Sequence, residues 1–407
     1  MTRMKFIHTA DLHLDRPFSH VYGLPEQFHE TLNRLNHQMV SRIVDCCLHE
    51  QCDFLLIAGD TFHQSLSSIH VQTFFLEQLT RLKEAGIPVV LSFGNHDYYT
   101  ADRYWFDWPD NVLLFDSAEV TTKRLTTRSG ETVAISGFSY DERWLAEGKL
   151  AQFPPRVSGA DYHIGFYHGE QSDEQPYAPF AIREMQSKGY DYWGLGHIHQ
   201  PQVLSDAPPI VYPGTPQGRT RKESAAKGVL VVDITPERTV FDWQDVALTG
   251  WLEVPVDTSS AESKNDVLLA IIDSCLARLS EGKVMFVTAT LQGLKQEWLA
   301  TILAEKKGLL AFLKQEIFSE SRQQVVLVAL ETEAPEEELL LTGITQEVID
   351  ELSRGYATQE VYQQLTKDLM QQPLLAANLQ IDRRLVTESL AQAVQLLREK
   401  IADKKEV

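Results

Sequence analysis

At 407 residues, 43% hydrophobic and 23% charged, the chain is long enough for two or three globular domains with sizeable cores. A formal charge of −20, with acidic residues in excess before and after residue 250, excludes the broad basic footprint of a duplex-binding surface; any nucleic-acid contact must be local, metal-assisted or supplied by a partner. The four cysteines, with Cys46 and Cys47 adjacent, make neither a disulfide framework nor a C-x-x-C zinc spacing. No apolar run approaches the roughly 20 residues that span a bilayer. Polar His8, Asp11 and His13 follow Arg3 and Lys5 too soon for a signal peptide. The expectation is a cytoplasmic protein with reduced thiols and no membrane contact.

In chain order, Lys5 to Ala10 reads as a short strand that runs straight into Asp11-Leu12-His13-Leu14-Asp15. Phe28 to Gln51 has helical periodicity through Leu32, Leu35, Met39, Ile43 and Cys47. Asp53 to Ala58 is a continuous apolar strand that stops at Gly59-Asp60. Val71 to Ala85 is a second amphipathic helix, closed by Gly86, and Ile87 to Leu91 is the next strand, ending before Gly94-Asn95-His96-Asp97. Strands alternating with helices of this length predict βαβ units and a layered α/β domain. Beyond residue 110 strands dominate: Val112 to Phe115, Thr132 to Gly137, Tyr162 to Tyr167 ending at His168, and Tyr190 to Leu195 ending at Gly196-His197-Ile198-His199. A short helix lies near Phe180 to Ser187, and Ile210 to Tyr212, Gly228 to Ile234 and Thr239 to Val246 read as closing hairpins. After a boundary near Ala247 to Trp251, strand, helix, strand, helix, strand follow in 252–332. From Glu336 onward the pattern is helical and polar, broken by Pro373.

Five strand ends carry polar side chains that bind metals. They are Asp11 and His13, Asp60, Asn95 with His96, His168, and His197 with His199. The set is oxygen and nitrogen without a thiol, which suits pairs of manganese, iron or zinc ions rather than calcium or structural zinc. A carboxylate shared by two cations suits in-line displacement at phosphorus. In an open α/β sheet the C-terminal strand edge is where ligands bind.

These blocks, in this order, resemble the calcineurin-like metallophosphoesterase superfamily. Ile7 to Asp15 and Gly59-Asp60-Thr61-Phe62-His63 are similar to its DNA-repair exonuclease, SbcD-type branch. Tyr212-Pro213-Gly214-Thr215 is similar to the tight turn after the last His block there. The Ser/Thr phosphatase branch has an Arg shortly after Gly-Asp, where this chain has His63-Gln64-Ser65. The resemblance implies a layered β-sandwich core flanked by helices (1–248), a small α/β capping domain (252–332) and a helical C-terminal region (336–407).

It also implies roles. Asp11, His13, Asp60 and His199 would hold one divalent cation, and Asp60, Asn95, His168 and His197 the other. Manganese is the expected metal, with magnesium, iron or zinc as substitutes. His96 would stabilise the developing charge or protonate the leaving oxygen, with Asp97 fixing its tautomer and His63 beside the scissile phosphate. The implied activity is hydrolysis of DNA phosphodiesters, beside an SMC-like coiled-coil ATPase that the C-terminal helices grip; a second copy of the chain is the other occupant considered. Arg219, Arg221 and Lys222 are the densest basic cluster near the blocks and the candidates for DNA phosphates. Trp105 and Trp108, with Tyr98, Tyr99 and Tyr104, are candidates for stacking on unpaired bases, weighed against ordinary packing. Two competing readings stand beside this one: a phosphodiesterase or phosphatase on a small nucleotide, and a DNA-end-binding scaffold without turnover.

Overall fold

The structure is a computed structural model that describes residues 3–18, 21–63, 67–171, 176–226, 228–333, 389 and 392–393. The expected helical region 336–407 therefore lies, three positions aside, outside the described residues. The chain groups into two compact units. The first is Met1–Leu252 with Arg278–Val287 and Phe318–Val328; the second is Glu253–Ala277, Thr288–Ile317 and Ala329–Val407.

In the first unit, β1 (Met4–Thr9), β2 (Phe54–Ala58), β3 (Val89–Ser92) and β4 (Val112–Leu114) run parallel. The helices α1 (Glu26–Glu50) and α2 (Ile69–Glu84) connect the first three of these strands. The chain then builds a second sheet from β5 (Thr121–Thr126), β6 (Thr132–Gly137), β7 (Tyr162–His168), β8 (Tyr192–Gly196), β9 (Gln202–Asp206) and β10 (Pro209–Tyr212), with α3 (Ile182–Ser187) between β7 and β8. It returns to the first sheet as β11 (Val229–Ile234) and β12 (Thr239–Gln244), β11 pairing antiparallel with β1. Two six-stranded sheets result, in the orders β12-β11-β1-β2-β3-β4 and β5-β6-β7-β8-β10-β9.

Period-2 side-chain alternation explains the layering. Leu55 and Ile57 of β2 join Val89 and Leu91 of β3 in a cluster with the apolar stripes of α1 and α2, including Met39, Ile43, Phe75 and Leu79. The alternate residues Phe54, Leu56 and Val90 meet Ile135, Ile164, Phe166 and Tyr192 of the second sheet. A sheet covered on both faces needs continuous apolar strands, which is why β2 reads Phe-Leu-Leu-Ile-Ala. On its far side the second sheet buries Tyr167, Trp193 and Leu195 with Met185 of α3. The expected β-sandwich core flanked by helices is thus the architecture of this unit.

Two strands and a helix lie outside the sequence expectation. β5 (TTKRLT) and β9 (QVLSD) are edge strands with mostly exposed side chains, so no apolar run announces them. The third, α6, appears below.

A three-stranded sheet contains β13 (Thr249–Asp257), β14 (Val284–Gln292) and β15 (Val325–Thr332). Within the first unit, Trp251, Phe286, Phe318 and Val326 pack with Phe28 and Leu32 of α1. The second unit holds α4 (Lys264–Leu276), α5 (Gln296–Ala304) and, as far as Ile317, α6 (Lys306–Glu320), the last unannounced by periodicity. A Ser263–Asp266 capping box starts α4, and Val267, Ile271 and Cys275 form its buried stripe. No helix among the described residues is long and apolar enough to cross a membrane.

Candidate metal centre

All five blocks meet at one edge of the sandwich, where β1, β2 and β3 of the first sheet and β7 and β8 of the second end. The loop after β1 is laddered to the loop after β2. Asp11 N–H donates to Gly59 O (3.1 Å), His13 N–H to Asp60 O (3.0 Å) and Leu14 N–H to Thr61 O (3.0 Å). Four non-glycine residues here hold positive φ: Asp11 (55°), His13 (42°), Asp60 (53°) and His197 (98°). Such conformations cost on the order of 1–3 kcal/mol each and persist where surroundings over-determine them.

His168 crosses between the sheets. Its Nδ1 lies 3.0 Å from the carbonyl of Ala58, and three glycines leave room for its ring. A Cβ on Gly59 would stand 2.3 Å from His168 Nδ1, one on Gly94 2.5 Å from Nε2, and one on Gly196 2.8 Å from Nδ1.

Two donor groups form. Ligand atoms of Asp11, His13 and His199 converge within 4.8 Å, as do those of Asp11, Asp60 and His168. Asp60 Oδ2 is 3.7 Å from His13 Nε2 and 3.6 Å from His168 Nε2, between the groups. Asn95 Oδ1 extends the second group, 3.1 Å from both His168 Nε2 and His197 Nδ1. Asp11 is also held from behind, its carboxylate accepting from His197 N–H at 3.1 Å.

The chemistry of these contacts fits divalent cations. His168 Nδ1 donates to a carbonyl, so its Nε2 carries a lone pair, which faces the acceptor oxygens of Asn95 and Asp60. His199 Nδ1 donates to Glu223 Oε1 at 2.7 Å, and its Nε2 lies 3.0 Å from His13 Nε2. Around His168 the acceptors are thus turned toward one another in a buried place, an arrangement that positive charge between them stabilises. The titration tendencies agree. Burial pushes Asp11 up to about 7, against the pull of His199, and raises Asp60. Burial also holds His13 and His168 well below the usual imidazole range, as neutral ligands.

His96 is half-buried and lowered to about 4, chiefly by burial. Its Nδ1 lies 3.3 Å from the carbonyl of His63, and its ring stacks on that of His63 (centroids 4.5 Å, 23°). The expected tautomer partner, Asp97, does not serve: its carboxylate accepts from Gly94 N–H (2.8 Å) and Phe62 N–H (3.1 Å). The backbone of the Gly-Asn-His turn consumes Asp97, and the His63 carbonyl orients His96 instead.

Arg219 also departs from expectation. It is wholly buried, donates to Leu12 O and Gln217 O, and braces the loop that carries Asp11 and His13, so it presents no charge to a surface ligand. Lys222 is exposed and Arg221 half-buried. Among the aromatic candidates Trp105 is exposed, whereas Tyr99, Tyr104 and Trp108 pack on the core of the first sheet and Tyr98 lies under Arg103.

Sequence reasoning missed Glu223. Its Oε1 takes His199 Nδ1 and Arg16 Nη1 (2.9 Å), and its Oε2 accepts from Arg219 N–H (2.7 Å). Burial works to raise its pKa, but these partners overcome it and hold the carboxylate at about 2. Burial likewise works to lower His199, and Glu223 and Asp11 reverse it.

The family model for calcineurin-like phosphoesterases matches residues 4–201, a span that contains all seven ligand candidates. Among curated relatives, the uncharacterized metallophosphoesterase YhaO of Bacillus subtilis is 35% identical over 350 residues, covering 84% of this chain and 85% of its own. The DNA double-strand break repair protein Mre11 of Methanopyrus kandleri is 27% identical over 237 residues, covering 53% of this chain and 49% of its own. The SbcD component of the SbcCD nuclease of Bacillus subtilis is 26% identical over 283 residues, covering 60% and 70%. With a likeness running through most of the YhaO chain, and through every block at the strand ends, this protein belongs to the calcineurin-like metallophosphoesterase family.

Proposed function

We propose that this protein is a two-metal phosphodiesterase that hydrolyses DNA phosphodiester bonds, as the nuclease component of a complex with an SMC-like ATPase. The observation that carries the reading is the convergence of two groups of candidate ligand atoms on either side of Asp60. Asp11, His13, Asp60 and His199 would hold one cation, and Asp60, Asn95, His168 and His197 the other. Manganese suits the oxygen and nitrogen donors. Bound there, the cations would neutralise phosphate charge and lower the pKa of water. The Mre11 and SbcD relatives point the chemistry toward DNA.

The remaining work falls to the chain. His96 carries its proton on Nδ1, toward the His63 carbonyl, which leaves Nε2 to take the proton that the attacking water gives up and pass it to the leaving oxygen. His63, stacked on His96, fixes the ring plane. Residues 252–332 act in this reading as the capping domain that helps choose DNA. Residues 336–407 would grip the ATPase, or a second copy.

The test is turnover by the full chain with manganese on labelled linear duplex, single-stranded DNA and bis-p-nitrophenyl phosphate. Asp60→Ala is expected to lose at least about 100-fold on every substrate, since it removes the ligand common to both cations. Unchanged DNA cleavage in that variant would overturn the reading. The charge of −20 and the burial of Arg219 favour a second reading, a phosphodiesterase on small nucleotides. Turnover of the small diester with DNA untouched would favour it, and DNA affinity without turnover would favour a scaffold.

A further inference from the structure

Beside the centre stands a group of side chains that the roles above leave unused. The Tyr177 ring lies 4.5 Å from that of His197, tilted by 37°. Trp144 follows, 5.3 Å from Tyr177, and the Arg143 guanidinium carbon lies 5.1 Å from the Trp144 centroid. Two loops supply these residues, and the backbone ties them together. Leu145 and Tyr177 form an isolated parallel bridge, Leu145 N–H donates to Pro176 O (3.0 Å), and Ala178 N–H donates to Leu145 O (2.7 Å). Leu145 and Ala178 are buried against the second sheet, so the rings stand on an anchored base while Trp144 stays 37% exposed. Arg143 is exposed too.

We propose that Arg143, Trp144 and Tyr177 form a nucleotide shelf, on which an unpaired base next to the scissile phosphate stacks on Trp144 while Arg143 takes the adjoining phosphate. The inference rests on the phosphodiesterase reading and names its substrate class: single strands and splayed DNA ends. Every base has a π-face, so exposed rings beside a cation bind single strands with little sequence preference. A guanidinium suits both phosphate and ring. Gripping a duplex backbone takes several phosphate-directed cations, which a chain of charge −20 with Arg219 turned inward does not concentrate here. At 5.1 Å Arg143 also leaves the indole face looser than Arg103 leaves Tyr98, at 3.5 Å.

The experiment uses the full chain with manganese on labelled oligo-dT, blunt duplex and bis-p-nitrophenyl phosphate. Trp144→Ala is expected to raise the KM for oligo-dT about tenfold or more, the scale of one lost base stack, with the small diester unaffected. Trp144→Phe keeps a ring and is expected to restore the oligo-dT KM. Arg143→Ala is expected to weaken oligo-dT binding and flatten its salt dependence. A second readout needs no turnover: oligo-dT binding in EDTA should quench intrinsic tryptophan fluorescence, with the quench reduced and the affinity kept in Trp144→Phe. An unchanged oligo-dT KM in Trp144→Ala, or equal effects on single strand and duplex, would overturn the shelf. Wild-type protein inactive on every substrate would sink the phosphodiesterase reading instead, and the fluorescence titration would still decide whether single strands bind at Trp144.

Discussion

As a metal ligand His199 would offer its Nε2 lone pair only with its one proton on Nδ1, and Glu223, 2.7 Å away, accepts from that nitrogen. Glu223→Gln preserves an acceptor and loses the charge, whereas Glu223→Ala loses both. Manganese affinity measured by calorimetry is expected to fall in that order, by about 10- to 100-fold for the alanine variant. Equal affinities in all three proteins would remove Glu223 from the centre. The seven ligand candidates were legible because each follows an apolar strand that stops abruptly. Glu223 was not, because Arg221-Lys222-Glu223-Ser224 reads as a solvated basic turn and its partnership spans 24 positions of chain. The same turn hid the burial of Arg219, whose two terminal nitrogens donate to carbonyls of its own and the first loop. Asp97 misled for a different reason: adjacency to His96 suggests partnership, while the tight turn needs the carboxylate for its own N–H groups.

Among the elements, the loops matter most, since the strands only deliver them to one edge. Gly94 shows how little space is left there. Its backbone is not left-handed, yet a Cβ would come within 2.3 Å of Asp60 Oδ1 and 2.5 Å of His168 Nε2. Gly94→Ala is therefore expected to displace ligands rather than backbone. Overpacking of this kind costs about 1–3 kcal/mol, so the melting temperature should drop by several degrees. Manganese stoichiometry by equilibrium dialysis should drop below that of the native chain, and an unchanged stoichiometry would refute the crowding. Core strands such as β2 and β3 were legible because burial on both faces demands continuous apolar runs. The edge strands β5 and β9 carry no such demand. Neither could the bridge between Leu145 and Tyr177 be read from sequence, since two irregular loops meet there only after the second sheet has formed.

At the scale of the molecule, the interface between the two sheets contains titratable groups. His8 is wholly buried there, its Nδ1 2.9 Å from the Tyr192 hydroxyl, and burial lowers it to about 3. On the far face of the second sheet His163, also buried, stacks on Tyr190, has Nε2 2.8 Å from Ser136 Oγ and is lowered to about 4, again chiefly by burial. Folding keeps both neutral, whereas the unfolded chain protonates them near pH 6.5. Their stabilising contribution is therefore complete above about pH 6.5 and is lost as pH falls toward 4 and 3, on the order of 3 kcal/mol per histidine by pH 4. Urea unfolding of His8→Gln, followed from pH 7 to pH 4, should show a shallower loss of stability than the native chain. A slope equal to the native one would mean that His8 does not titrate with unfolding.

The return of β11 to the free edge of β1 also sets an order of events during synthesis. A ribosome releases β1 to β4 early, but Phe6 waits for Val232 as its partner, and the entire second sheet emerges in between. Through that interval the nascent chain holds an open strand edge and a β2 that is apolar on both faces, the form in which chaperones bind chains and neighbouring polysomal chains aggregate. Metal uptake would fall late in the same schedule, because the proposed ligands, drawn from the ends of β1 to β8, are not all present until residue 199 has left the exit tunnel.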